Sequence, residues 1–566
     1  MQTIDFVGCI FEARRREAYG NTAGSSPCQP GCASSRPAQS WPGHGRHAGW
    51  PLHHPPALWG AEAGAPKRGG ILRLAGNDPV HFDPHLTPGF KTHTTLSFVY
   101  SRLLRHKVGP DVPPGAFILE PDVAEHWDMP DDTTYVFHLR QGVTWHNKPP
   151  VNGRELVADD VKFTFDRFLT EKGNQLRDLL EPVERVEVVD RYTVKLLLKE
   201  PFVWLLDVLA RPHAMWIIAP EVVHQYGDLK KPETAIGTGP FLLEHYDPHV
   251  KAVFKRHPAY FRPGLPWVDG VEWLVIDDDS TRLAMYRTGQ LDVSGVRQPD
   301  LEALKQSHPQ CRYQDYLSTV ASALFMRTDQ LPFKDVRVRR AISHAIDRQG
   351  LIEAVAMRGE PTPAVPRGLS EWSLPVDQLG AGAKYYQYDP PEAKRLLAEA
   401  GLPQGFKTQL TATGGFGRDV LDAAQLVQRQ LKDIGIEAAL RLQEYGAYLA
   451  TTRMGKFEGL AYAPFTVAWE PHTTLYAAYM PDQPINAGHV NDPTLTAMLK
   501  EQQRMQALEA RKQLIFAIQR YEAEQQYYVY THAAMITVSW QPYVKHVAPS
   551  PTWDIGGRAA ALWLDR

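Results

Sequence analysis

Segments with the two-residue period of strands alternate with amphipathic helical segments from Lys67 onward, and this alternation most constrains the fold. Thr134–Arg140 alternates apolar and polar residues as a half-buried strand does. Ala158–Phe165 begins a segment with helical spacing, and the same spacing predicts helices at Thr94–Leu104, at 418–434 and at about Pro493–Tyr521. The succession of strand and helix segments contains no internal repeat. Mixed strands and helices over 566 residues predict an α/β protein of several lobes.

The composition excludes several classes of protein. A hydrophobic content of 43% and a charged content of 22% are those of a globular chain, which excludes disorder throughout. A formal net charge of -3 gives no global reason to bind nucleic acid or an anionic membrane. No window approaches 18 uninterrupted apolar residues, so we predict no transmembrane helix. Beyond residue 32 only Cys311 remains, which excludes an internal disulfide and a cysteine-rich zinc site there.

Residues 1–66 differ from the rest of the chain in composition and in their lack of a periodic hydrophobic pattern. They contain Pro, Gly, Ser, His and Arg without periodicity, which predicts disorder. The basic start and apolar run of a secretory signal are missing, but Ala61-Glu62-Ala63 has the form of a cleavage site. We interpret 1–66 as a disordered or mis-assigned segment with the remnant of a signal-peptide cleavage site. The alternative is a genuine disordered extension.

The chain lacks the local motifs of several enzyme classes. It has no G-x-S-x-G elbow, no H-E-x-x-H, no P-loop and no G-x-G-x-x-G after a strand. Gly237-Thr238-Gly239 begins like a dinucleotide loop, but Pro240 follows and the third glycine is absent. Asp277-Asp278-Asp279 lacks the spacing of a calcium loop, and we interpret it as a solvated turn. We therefore predict no enzyme activity, no cofactor and no metal.

Five segments occur in a fixed order along the body. They are Leu119–Trp127 with Tyr135–His146 and Ala158–Val161, Ile236–Phe241, Asp292-Val293, Pro332–Arg348, and Asn491–Pro493. Together these segments resemble the family 5 solute-binding proteins of bacterial ABC transporters, which include dipeptide- and oligopeptide-binding proteins. Lys67–Gly70 is also similar to the segment that precedes the first strand in mature members of that family.

The resemblance implies a bilobed periplasmic-binding-protein-like α/β fold of the peptide-binding-protein type. Lobe one would carry an extra subdomain, and the chain would cross between the lobes near Tyr316–Ser318 and near Ala534-Met535. The expected ranges are 67–312 for lobe one with the subdomain at about 106–232, 313–537 for lobe two, and 538–566 for a segment that returns to lobe one.

The resemblance also implies a function. The protein would capture a peptide, a peptide-like compound or a small amphipathic solute between its lobes and deliver it to the permease subunits of an ABC importer. It would be a periplasmic monomer that binds no nucleic acid, exported by a signal peptide that is not intact in this sequence. Two alternatives are a secreted hydrolase on a bilobed scaffold, whose dispersed triad would not show in spacing, and a sensory binding protein for a receptor.

The expected ligand-binding residues lie mainly in one loop of lobe two. Peptide-binding relatives hold an Asp four residues before a Pro, and this Asp pairs with the amino group of the peptide. Here Val467 occupies that position, which argues against free peptides. We expect Phe465 and Trp469 to form an apolar wall of the cleft and Glu470 to accept a hydrogen bond or pair with a cationic group. Gly239 would lie near the lobe junction.

An alternative reading assigns these aromatic side chains to the lobe-two core. Eight aromatic residues fall between positions 443 and 480, namely Tyr445, Tyr448, Phe457, Tyr462, Phe465, Trp469, Tyr476 and Tyr479. Aromatic side chains fill cores as readily as they line pockets. The sequence alone does not show which of these eight side chains lie in the core of lobe two and which line the cleft.

Overall fold

The computed structural model describes residues 64–87, 89–213, 215–465 and 469–566. The predicted disordered segment 1–66 therefore lies outside the described residues except for its last three positions. The described chain is α/β, with one large sheet in each of two lobes and a third sheet in a subdomain. None of the helices in the described ranges is long and apolar enough to cross a bilayer.

The lobe-one sheet has eight strands. Their order is Arg312–Leu317, His532–Trp540, Val293–Val296, Ile71–Gly76, Gly270–Val275, Lys251–Arg256 and Phe241–Asp247, with Gly359–Pro361 paired to His532–Trp540. The first strand runs parallel to Gly270–Val275, with Ile71 opposite Gly270. Leu72 and Leu74 are buried while Ile71 is exposed. This alternation follows from side chains that point to opposite faces of a strand.

Helices of lobe one pack around this sheet, and the subdomain contributes its own four-stranded sheet. The lobe-one helices are Phe90–Leu96, Asp279–Arg287, Gln298–Ser307 and Ile555–Ala561. The subdomain strands are Ala124–Asp131, Thr134–Leu139, Thr193–Leu198 and Val183–Asp190, in spatial order, and its helices are Ala158–Thr170, Leu205–Ala210 and Pro220–Tyr226. Two short antiparallel pairs, Leu104–His106 with Leu119–Pro121 and Val544-Lys545 with Trp563-Leu564, complete this half.

The lobe-two sheet has five strands covered by helices. Its order is Ile436–Leu442, Phe406–Ala412, Leu460–Pro464, Ser322–Met326 and Tyr528–Tyr530. The α-helices are Val336–Ala345, Arg348–Leu351, Pro390–Glu399, Arg418–Asp433, Tyr445–Ala450, Pro471–Tyr479, Pro493–Gln502 and Leu508–Gln525. Arg418–Asp433 shows why such helices form here, because Ala423, Val427 and Leu431 recur at helical spacing and are buried on one face.

Two direct strand-to-strand crossings join the sheets and lie side by side, and Gly359–Pro361 also reaches the lobe-one sheet from within lobe two. Leu317 ends a lobe-one strand and Ser322 begins a lobe-two strand, while Tyr530 ends a lobe-two strand and His532 begins a lobe-one strand. The backbone amide of Thr531 donates to the Ser322 carbonyl at 2.8 Å, which ties one crossing to the other. The two lobes are therefore joined by a narrow double connection.

Two helices differ from the sequence prediction because tertiary hydrogen bonds replace helical ones. The predicted helix Thr94–Leu104 is observed at Phe90–Leu96, since the carbonyl of Val99 accepts from the Gly239 amide at 2.8 Å. The predicted single helix Pro493–Tyr521 is interrupted at residues 503–507. At this break the carbonyl of Gln503 accepts from the Val203 amide of the subdomain at 3.0 Å.

Candidate functional site

The two lobes meet along a buried contact, here called the seam, formed by Trp469 and Glu470 of lobe two with Arg211, His213 and Trp553 of lobe one. Trp469 is only 3% exposed. Its ring centroid lies 5.7 Å from that of His213 and 5.3 Å from that of Trp553. Trp469 is thus placed at the contact between the lobes, against rings supplied by lobe one, and outside the aromatic core of lobe two.

A buried ion pair crosses the seam next to this ring. Arg211 follows the helix Leu205–Ala210, and its guanidinium contacts the carboxylate of Glu470. Glu470 also accepts a hydrogen bond from the Thr473 amide at 3.0 Å and so caps the helix Pro471–Tyr479. Breaking a buried pair by removing one partner costs about 3–5 kcal/mol, because the other charge stays buried. Because its partners belong to different lobes, this pair is intact only in the arrangement in which the lobes touch.

Arg211 keeps hydrogen-bonding capacity beyond this pair. Its Nε and Nη1 atoms are buried and have no hydrogen-bond partner among the described residues. A buried donor left without a partner costs about 1–3 kcal/mol. An acceptor group on a bound molecule would satisfy these two nitrogens.

The pKa values of His93, His213 and Asp207 around the seam are shifted so that the neutral form of each side chain is favoured. Burial lowers the pKa of His93 to about 4, and burial also lowers the pKa of His213 well below its usual range. Burial and the nearby Glu470 carboxylate raise the pKa of Asp207 to about 7, although Arg211 opposes this. At neutral pH the seam therefore presents uncharged imidazoles and indoles around one ion pair. Such a surface suits planar or apolar groups.

A cavity of about 380 Å³ lies on the lobe-one side, beside the first crossing. The end of the first strand, the strand Val293–Val296 and the loop Val547–Thr552 line it together with Tyr316. Small-molecule sites usually have volumes of about 300–1,000 Å³. The cavity is therefore large enough for a small solute.

The charge of this cavity is positive. Its charged lining residues are Arg282 and Arg558, and no acidic side chain lines it within the described ranges. Arg282 is paired with Asp279 at 2.9 Å. Arg558 donates to the Thr552 hydroxyl and forms no ion pair among the described residues, and burial lowers its pKa. Arg558 is consequently the cation available to a solute carboxylate.

One loop connects the cavity to the seam. Thr552 lines the cavity, and the next residue, Trp553, packs against Trp469. Asp554 then anchors the loop, because its carboxylate pairs with Arg102 at 2.6 Å in the interior of lobe one. A solute in the cavity would therefore contact the same loop that carries Trp553 to the seam.

The other predicted ligand-binding residues lie elsewhere or outside the described residues. Phe465 is 7% exposed and packs in the lobe-two core, with ring centroids 4.9 Å from Phe325 and 5.2 Å from Tyr528. The Phe465 side chain follows the core alternative and not the cleft-wall expectation. Val467 falls outside the described residues.

Gly239 has a structural setting near the lobe-one sheet. Its amide donates to the Val99 carbonyl at 2.8 Å, and its carbonyl lies 3.2 Å from ring nitrogens of both His146 and His257. A Cβ atom at Gly239 would lie 2.5 Å from the carbonyl carbon of Val99. The glycine therefore permits a close backbone approach, and its polar atoms are already engaged.

Sequence reasoning missed the lobe-one half of the site. Arg211, His213, Trp553 and Arg558 were not singled out, because they carry no motif and lie far along the chain from Trp469. A weak signal was available at Trp553, a large aromatic residue in a Pro-rich loop near the C-terminus. Only the fold brings these residues together.

Comparison with known proteins gives a family and several relatives. A family model described as "Bacterial extracellular solute-binding proteins, family 5 Middle" matches residues 119–484. The glutathione-binding protein GsiB of Salmonella paratyphi A is 33% identical over 345 residues, which cover 59% of this chain and 64% of that protein. GsiB of Escherichia coli strain K12 is 31% identical, with 57% of this chain and 61% of that protein covered. The chain thus spans less than two thirds of the length of these relatives.

Solved structures agree with this family over most of the chain. DppA from Helicobacter pylori, in complex with the peptide STSA, matches with a TM-score of 0.74 and 25% identity, covering 88% of this chain and 99% of that one. AgaA of A. tumefaciens R10, in complex with agropinic acid, matches with a TM-score of 0.73 and 24% identity, covering 88% and 99%. The bilobed α/β fold expected from the sequence is confirmed. The chain belongs to the family 5 bacterial extracellular solute-binding proteins.

Proposed function

We propose that this protein captures a peptide, a peptide-like compound or a small amphipathic solute between its lobes and delivers it to the permease of an ABC importer. The observation that carries this proposal is the seam, where Trp469 and Glu470 of lobe two are buried against lobe one beside a cavity of about 380 Å³. A two-lobed clamp binds by closing on its ligand, and closure buries residues of this kind. The relatives named for glutathione and for a peptide support the same class of solute.

The double crossing acts as the hinge in this proposal. The lobes keep the expected ranges of 67–312 with a subdomain at about 106–232, 313–537, and 538–566 returning to lobe one, except that 313–317 and 532–537 belong to strands of the lobe-one sheet. The support is the connectivity of the sheets, since the chain passes directly from a strand of one sheet to a strand of the other at 317–322 and at 530–532, where Gly359–Pro361 also pairs with His532–Trp540. Rotation about a few residues at such a connection is enough to open a cleft.

The proposed solute carries a carboxylate. Arg558 faces the cavity without an ion-pair partner among the described residues, and Arg211 has two buried nitrogens without acceptors. Peptides, glutathione and opine acids all contain a carboxylate. A charge-assisted hydrogen bond contributes about 1.5–3 kcal/mol, which makes this group the main polar anchor.

The amino group of a free peptide has no comparable partner at this site. No acidic side chain lines the cavity within the described ranges, and Glu470 is engaged by Arg211. Val467 stands where peptide-binding relatives hold an Asp, as the sequence resemblance implies. We therefore expect an end-blocked peptide or an opine-like acid to bind at least as tightly as the matching free-amine peptide.

We place the protein in the periplasm as a monomer, with a permease as its partner. A hydrolase on the same scaffold is the competing function, and a sensory binding protein is another. Incubation with the bound solute followed by mass spectrometry distinguishes a hydrolase from a transport protein, because a hydrolase would release product. Neighbouring genes distinguish a sensory binding protein from a transport protein, since importer genes beside this one support transport.

Calorimetric titration tests the solute class directly. The panel comprises glutathione, a free tripeptide, its N-acetylated form, its C-terminal amide and agropinic acid. We expect Arg558→Gln to weaken binding of the preferred acid by about 10–100-fold, since one charge-assisted hydrogen bond is lost. Arg282→Gln lines the same cavity but removes a cation already paired with Asp279, so it is the matched control.

The panel also separates the possible outcomes. Tight binding of an acid that Arg558→Gln weakens by about 10–100-fold, and that Arg282→Gln preserves, supports the proposal. Equal affinity for the acid and its amide would refute the carboxylate anchor. Binding of none of the compounds, with no solute co-purifying from the native host, would argue against solute capture itself.

A further inference from the structure

Two histidines and an aspartate meet on the outer face of the subdomain sheet. His126 and Asp128 lie two residues apart on the strand Ala124–Asp131 and so share a face. His138, on the strand Thr134–Leu139, is the direct cross-strand neighbour of His126. One potential ligand atom from each of the three residues lies within 4.8 Å of the other two.

We infer that this cluster is a binding site for a divalent transition-metal ion such as Zn²⁺, Ni²⁺ or Cu²⁺. Two imidazoles and one carboxylate form a donor set that suits late first-row metals, whereas Mg²⁺ and Ca²⁺ prefer oxygen ligands alone. Three protein ligands leave at least one coordination position for water or for a group on another molecule.

The distances are close to those that a metal needs. The Nε2 atom of His138 lies 3.0 Å from the Oδ2 atom of Asp128. Tetrahedral Zn²⁺ with bonds of 2.0–2.2 Å holds its ligand atoms about 3.3–3.5 Å apart. The carboxylate and this imidazole therefore need to move by only a few tenths of an ångström to share one ion.

One ring must turn to complete the site. The imidazoles of His126 and His138 stack with centroids 4.3 Å apart and planes inclined by 12°, so their nitrogen lone pairs lie in nearly parallel planes and do not converge on one point between the rings. Rotation of His126 about its terminal side-chain torsion directs its nitrogen toward the other two ligands, and this torsion is broad for histidine. His126 is exposed, so no core packing opposes the rotation.

The backbone beneath the cluster is held on both sides. His138 pairs with His126 on one neighbouring strand and with Thr193 on the other. Asp190 lies opposite Thr193, at the end of the next strand of the sheet. It also interacts electrostatically with His138 and adds negative charge beside the site. The strand pairing therefore holds the backbone of the ligands in place, and the negative charge of Asp190 favours binding of a cation.

This site is separate from the proposed solute site. None of its three ligands lines the cavity or belongs to the seam. No local sequence pattern indicates this site, because the histidines lie on different strands and share no helical or zinc-finger spacing. The strand register brings them together.

Calorimetric titration of the metal-stripped, untagged full chain with ZnCl₂ tests the inference. We expect one Zn²⁺ to bind whose affinity falls at least tenfold in His126→Asn, in Asp128→Asn and in His138→Asn, since even loss of an outer-shell partner costs about 10–100-fold. The matched control is His245→Asn, which removes an exposed histidine paired with Asp247 at 2.8 Å but without a second imidazole. This control should bind Zn²⁺ as the unchanged protein does.

A localised readout distinguishes the site from general histidine binding. Substoichiometric Cu²⁺ should broaden the NMR signals of the imidazoles of His126 and His138 before those of His245. Circular dichroism and thermal melts of each metal-free variant should match the unchanged protein, because the three side chains are on the surface. Equal Zn²⁺ affinity in His126→Asn, His138→Asn and His245→Asn would overturn the inference, as would first broadening elsewhere.

Discussion

At the scale of single residues, Trp469 decides whether the seam belongs to solute binding or to folding. Its ring neighbours Phe117, His213 and Trp553 all belong to the other lobe. Trp469→Ala should therefore weaken solute binding by about 1–3 kcal/mol, from the loss of one buried aromatic side chain. The melting temperature of the solute-free protein should change little, because neither lobe's own core is altered.

Phe465→Ala is the control for this prediction. Phe465 packs among the rings of Phe325, Tyr528 and Tyr530 inside lobe two, so its truncation should cost about 3–5 kcal/mol of folding stability. Thermal melts and calorimetric titration of the two variants give the comparison. A stability loss in Trp469→Ala as large as that in Phe465→Ala would remove Trp469 from the binding site.

Glu522 provides a pH-dependent test of the lobe-two interior. Burial raises the pKa of Glu522 to about 8, from an ordinary value of 4.5. A carboxyl with a raised pKa in the folded state contributes stability below about pH 4.5, and this contribution is lost as the pH rises through 8. Glu522→Gln should remove that loss and make the protein more stable than the unchanged chain at pH 9.

Urea denaturation of both proteins at pH 5 and pH 9 measures this effect. The difference in unfolding free energy between the two proteins isolates the effect of Glu522, because other groups such as Asp207 titrate in both proteins. The stability difference should shift in favour of Glu522→Gln as the pH rises. A difference that is the same at pH 5 and pH 9 would show that the Glu522 carboxyl is not strongly shifted.

At the scale of elements, the turn that precedes the strand Phe241–Asp247 depends on a glycine. In Gly239→Ala the new methyl group would meet the Val99 backbone, which cannot move aside as a flexible side chain could. We expect a loss of about 1–3 kcal/mol in unfolding free energy. Gly414→Ala is the control, because a Cβ there meets no atom within 4 Å. Equal stabilities of the two variants by chemical denaturation would contradict this account.

The sequence predicted elements well where local periodicity decides the structure. Thr134–Leu139 and Arg418–Asp433 have the predicted type and nearly the predicted bounds, since each buries one regular face. The break at residues 503–507 was not predictable, because the subdomain amide of Val203 causes it. The candidate site follows the same rule: the family resemblance singled out Trp469 and Glu470 in the sequence, whereas Arg211 and Trp553 reach them only through the fold.

At the scale of the whole molecule, the C-terminal part of the chain connects the fold to the function. The strand His532–Trp540 lies between Arg312–Leu317 and Val293–Val296 in the lobe-one sheet. The loop that follows lines the cavity and carries Trp553 to the seam. The same segment therefore completes the lobe-one sheet, forms part of the proposed hinge and supplies part of the proposed site.

Small-angle X-ray scattering of the purified protein tests the central claim, that two lobes close on a solute. The solute is the compound that native mass spectrometry finds co-purifying from the native host, or the tightest acid of the titration panel. The radius of gyration should decrease when this compound saturates the solute-free protein, and Trp469→Ala should require more of it for the same decrease. An unchanged radius of gyration at saturating solute would contradict the account.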